Sequence, residues 1–91
     1  MKRTQALDLA ERALIFLAGR GPDIQRFLTA SGLDADELQA RSADEAILLA
    51  ALSHVAQDES LAKAFSEDER LRQGELLRAC ATLDPHGSSA W

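Results

Sequence analysis

Only a few residues of this chain have the types and spacings that chemistry requires. Ser53 and His54 are adjacent, which invites a nucleophile and base reading. Consecutive residues on a helix, however, point about 100° apart and cannot share a proton. His54 stands four residues before Asp58, near a predicted helix C-terminus, so a local ion pair with support from the helix dipole is expected. His86 has no placed partner. Cys80 falls late in a predicted helix, where the dipole disfavours a thiolate, on the face expected for Leu76 and Leu77. It is read as a buried, inert thiol.

Metal and phosphate chemistry fail on spacing. Asp34, Asp36 and Glu45 match positions one, three and twelve of a calcium loop. Leu38 and Gln39 occupy positions five and six, where an oxygen ligand and a glycine are needed. Asp34 and Glu45 are better used in helix capping. One cysteine and two scattered histidines supply no zinc set, and Gly19 and Gly21 punctuate helices instead of cradling phosphate. The sequence predicts no catalytic residue, no cofactor and no metal.

The remaining charges have helical spacings. Asp8 and Arg12, Glu37 and Arg41, Glu59 and Lys63, and Asp68 and Arg72 lie at i, i+4 with the acid first, the favourable order on a helix. Asp23 with Arg26 and Glu75 with Arg78 add pairs at i, i+3. Solvated helix faces account for most of the bases. The net charge of −5 is unevenly placed. Residues 1–33 carry five bases and three acids, whereas residues 34–91 carry five bases and twelve acids. That field repels phosphate backbones and anionic lipid, so nucleic acid and membranes are not expected partners.

These residues must be positioned by helices. At 91 residues with 46% apolar and 27% charged content, the chain can build one modest core. No stretch alternates with period two, so no strand is expected. A first helix is predicted from Thr4, a candidate N-cap, to Ala18, with Leu7, Ala10, Leu14, Leu17 and Ala18 on one face and Leu9, Ala13 and Phe16 widening it. Gly19 stops it. Pro22 opens a second helix that presents Ile24, Phe27 and Leu28 and ends at Gly32. Asp34 with Glu37 caps a short third helix, and Ser42 with Glu45 forms a capping box for a fourth, Ala43 to Gln57. The run Ala46 to Leu52 within it is apolar all round, which marks a central helix, and is far too short to span a membrane. Asp58 caps a fifth helix bearing Leu61, Ala64 and Phe65. Ser66 with Glu69 caps a sixth bearing Leu76, Leu77, Cys80 and Leu83.

The expected fold is all-α: a compact orthogonal bundle of five or six short helices in one domain, residues 1–84, with a flexible C-terminal tail, residues 85–91, that ends in Trp91. The single cysteine excludes an intramolecular disulfide. Asp8, Glu11 and Arg12 interrupt any signal-like apolar run, so a cytoplasmic location is expected.

Residues 27–38 have the pattern of a helix-turn-helix, with Ala30 before the turn glycine Gly32, Leu33 just after it and Leu38 five positions on. The second helix opens with Asp34, Asp36 and Glu37, where groove recognition needs bases or amides.

Taken in order, Ala13, Leu14, Phe16, Leu17 and Ala18, then Phe27, Leu28, Ser31, Gly32 and Leu33, then Leu49 and Leu52, then Asp58, Glu59, Leu61 and Phe65 give a chain that resembles a small bacterial family known only as domain of unknown function 3572. The resemblance covers nearly all of the predicted folded part. It implies an all-helical bacterial domain and carries no activity or functional residues with it. The expected function is a non-enzymatic interaction module for a protein partner or a second copy, with a helix-turn-helix DNA-binding or regulatory domain as the alternative. Ile15, on the otherwise polar side of the first helix with Asp8, Glu11 and Arg12, and Trp91 are the candidate contact residues.

Overall fold

A computed structural model describes residues 1–72 and 74–83, and the expected tail with Trp91 lies outside the described residues. The fold is an all-α bundle of six helices: α1 (Arg3–Ala18), α2 (Gly21–Ser31), α3 (Ala35–Ala40), α4 (Glu45–Gln57), α5 (Glu59–Glu69) and α6 (Glu75–Leu83). None of the described residues is in a strand.

Helix boundaries follow local hydrogen-bond accounting. The Asp34 carboxylate accepts from the Glu37 N–H at 2.8 Å and the Asp58 carboxylate from the Leu61 N–H at 3.1 Å, capping α3 and α5 as expected. Gly32 ends α2 in the left-handed conformation, φ 74°, with its N–H and that of Leu33 both donating to the Leu28 carbonyl.

Three expected caps are replaced. Thr4 lies inside α1, whose first turn is closed by the Gln5 side chain accepting from the Lys2 N–H at 3.1 Å. α4 is capped by Asp44, not Ser42. Asp44 accepts from the Ala46 N–H at 2.9 Å while Arg41–Ala43 form a turn. Ser66 and Glu69 belong to the last turn of α5, because Arg70 adopts a left-handed conformation, φ 55°, and Leu71 N–H returns to the Ser66 carbonyl. α6 therefore starts later, after Gly74 at φ 84°.

The core is built on α1 and α4. α1 packs against α2, α4 and α6, and α4 packs against α1, α2, α5 and α6. Ala6, Ala10 and Ala13 of α1, Ala51 of α4 and Ala79 of α6 are fully buried, and side chains this small let helix axes approach closely. Leu17, Leu52, Val55, Phe27 and Phe65 fill the space between. Ala18 and Ala46, expected inside, are exposed, and Leu7 is half-buried. α3 buries none of its residues and touches the core only through half-buried Leu38.

Candidate interaction surface

The residues first weighed for chemistry sit in structural roles. The His54 ring stands edge-on to Phe27, centroids 5.4 Å apart, across the α2–α4 contact. The expected pair with Asp58 does not form, because the Asp58 carboxylate caps α5. Cys80 is half-buried beside α4. Burial pushes its thiol pKa up, while the Ser53 hydroxyl works in the opposite direction. Among the described residues no three His, Cys, Asp or Glu side chains gather as metal ligands.

Of the predicted ion pairs only Asp8–Arg12 forms as expected, at 3.0 Å. Arg41 turns to Asp44 at 2.9 Å and Arg20 to Asp23 at 2.6 Å, each serving a helix start. Arg41 lowers the Asp44 carboxyl pKa below its ordinary value. Arg20 also lies over the Phe16 ring at 5.0 Å. Arg3 joins Glu45, linking α1 to α4. Arg12 additionally holds Glu69 at 2.8 Å, so it clamps α1 to the end of α5. Hydrogen bonding to Glu69, together with the charge of Asp8, raises the guanidinium pKa still further.

Two depressions flank the α5–α6 connection. A cleft of about 510 Å³ runs along the N-terminal half of α1, where Asp8, Arg12, Glu69, Arg72, Glu75 and Arg78 give it mixed charge. On the other side a groove of about 320 Å³ lies between α4, α5 and α6. Ala56, Ala62, Leu71, Leu76 and Leu77 line its apolar part, with Lys63 and Arg72 as its charged lining residues. A third hollow, about 160 Å³, adjoins Phe27 and His54 between α2 and α4.

Leu77 is 67% exposed, whereas its neighbour Leu76 is 7% exposed. Leu77 was expected to face inward with Leu76 and Cys80. Instead Leu76, Ala79 and Leu83 of α6 align on the core. That i, i+3, i+7 stripe was present in the sequence and would have placed Leu77 about 100° away from it. Ile15 is 72% exposed, on the polar side of α1. Trp91 lies outside the described residues.

No described helix is long and apolar enough to cross a membrane. No curated protein and no solved structure matches the chain significantly. The family model described as "Protein of unknown function (DUF3572)" matches residues 3–86, and the chain belongs to that family.

Proposed function

We propose that this chain is a non-enzymatic protein-interaction module acting in the cytoplasm. The observation that carries the reading is the exposure of two large aliphatic side chains, Ile15 and Leu77, one of them beside an apolar groove. Aliphatic side chains left mostly in water contribute little to the fold, but they supply the apolar centre that a partner can bury. Trp91 joins them on its chemistry, since tryptophan is among the side chains that most often anchor an interface. The single cysteine, half-buried and without a disulfide partner, suits a reducing compartment.

The helix-turn-helix alternative draws on the α2–Gly32–α3 corner, which forms at the expected residues. Two facts speak against it as a DNA reader. The first turn of α3 presents Asp36 and Glu37 behind the Asp34 cap, and Arg20 and Arg41 are engaged by Asp23 and Asp44. Binding of duplex DNA that weakens steeply with salt would restore it.

The test is photo-crosslinking in the cells of origin, with a benzophenone amino acid placed singly at Ile15, Leu77 and the exposed polar position Ser60. A discrete protein adduct at Ile15 or Leu77 that is missing at Ser60 is the expected result. Equal adducts at all three positions, or none, would overturn the proposal.

A further inference from the structure

We propose that the groove between α4, α5 and α6 receives an amphipathic partner helix whose apolar face is flanked by carboxylates, a refinement that rests on the interaction-module reading. The walls set the first requirement. Ala56, Ala62 and Leu71 leave a hollow of about 320 Å³, and Leu77 stands 67% exposed beside it. Small side chains on one wall and a projecting leucine on the other accept large aliphatic side chains one helical turn apart, the usual way a helix enters a groove.

Charge sets the second requirement. The charged residues lining the groove, Lys63 and Arg72, are both basic on a chain whose net charge is −5. Arg3, Arg12, Arg20 and Arg41 are each held by a carboxylate. Lys63 and Arg72 have no ion pair within 4 Å among the described residues, and neither do Lys2, Arg26, Arg70 and Arg78, which are not part of the groove lining. Glu59 and Glu67 stand one turn from Lys63 on either side, yet neither lines the groove nor closes on Lys63. Glu75 is turned to the Arg72 backbone N–H at 3.0 Å. At physiological salt the screening length is about 8 Å, so a docking segment responds to Lys63 and Arg72 more than to the net charge of the whole chain. Carboxylates flanking the apolar face would pair with them, speed encounter and fix the register.

The experiment selects random 14-residue peptides by messenger-RNA display on the immobilised full chain, then measures winners by fluorescence anisotropy. The expected consensus has aliphatic or aromatic residues at i and i+4 with Asp or Glu beside them. Leu77→Glu should weaken binding roughly tenfold or more. The double variant Lys63→Glu with Arg72→Glu should do the same, and binding should return when the peptide's acids are replaced by lysine, a rescue that a misfolded protein cannot give. Winners without acids, or indifferent to Leu77→Glu, overturn the proposal. Winners lost only on Ile15→Glu overturn this groove and leave the broader reading standing, whereas absence of any winner overturns both. A dimer that dissociates on Leu77→Glu in sedimentation equilibrium, or a Trp91 emission shift caused by that substitution alone, would make a second copy or the chain's own C-terminal segment the occupant and overturn the partner helix.

Discussion

Replacing Leu76 and Leu77 with alanine, one at a time, separates two residues that are identical in chemistry and adjacent in sequence. Leu76 is 7% exposed and packs in the core. Its truncation removes buried methyl groups and leaves a cavity, a cost of about 2–5 kcal/mol. Leu77 keeps two thirds of its surface in water. Only about a third of the 1.5–3 kcal/mol of a fully buried leucine is at stake, roughly 0.5–1 kcal/mol, and alanine's higher helix propensity returns a few tenths. The two variants should therefore differ by about 2 kcal/mol or more. For a domain of this size that corresponds to a gap in Tm on the order of 10 °C. Thermal and urea unfolding followed by circular dichroism at 222 nm would measure it, with two-state behaviour expected for so short a chain. Equal losses for Leu76→Ala and Leu77→Ala would refute the outward placement of Leu77 and with it the groove. A loss at Leu77 that grows with protein concentration would instead reveal a self-associated form, because only binding makes stability concentration-dependent.

Gly32→Ala should cost about 1 kcal/mol, purely through its φ of 74°, since nothing lies within 4 Å of an added Cβ. Arg70→Gly should do the reverse and raise Tm, because Arg70 holds a left-handed conformation that costs a side-chain-bearing residue about 1 kcal/mol or more. Asp58→Ala should lose about 1 kcal/mol with the α5 cap, and Asp58→Asn should recover most of it. Asp44 has a carboxyl pKa lowered first by Arg41 and then by the Ala46 N–H. Its contribution to stability is complete above the ordinary carboxylate pKa near 4 and fades as pH falls through the lowered folded value. Asp44→Asn should therefore flatten the acid limb of the stability profile, measured as urea midpoints between about pH 5 and 2.5. Burial raises the Cys80 thiol pKa, so alkylation by iodoacetamide at pH 8 should be slower in the native chain than in urea, and equal rates would contradict the packing of α6 on α4.

Much of the fold was legible because its determinants are local. Gly32, Asp34 and Asp58 act through hydrogen bonds and dihedral preferences within four or five residues, so each was placed correctly from spacing alone. The apolar density of Ala46–Leu52 marked α4 as the central helix, and four helices do pack around it. The failures came where two local signals competed. Ser42 and Asp44 could each cap α4, and Asp44 took the position, with Arg41 held against its carboxylate. Ser66 with Glu69 reads as a helix start, yet Phe65 continues α5 into the core, fully buried and edge-on to Phe16 at 5.3 Å. That burial carries α5 through to Glu69.

By itself, then, the sequence determined an all-helical chain of five or six segments, the α2 stop at Gly32, the caps at Asp34 and Asp58 and the exposure of Ile15, all of which depend on residues within a turn or two of one another. Only the tertiary structure decided which bases are paired across helices, as Arg12 is with Glu69, that His54 meets Phe27 instead of Asp58, and that a groove shared by three helices opens beside Leu77. Those outcomes depend on the rotation of each helix about its axis. Spacing fixes which residues share a face of a helix, and packing against segments distant in sequence decides which face meets the core.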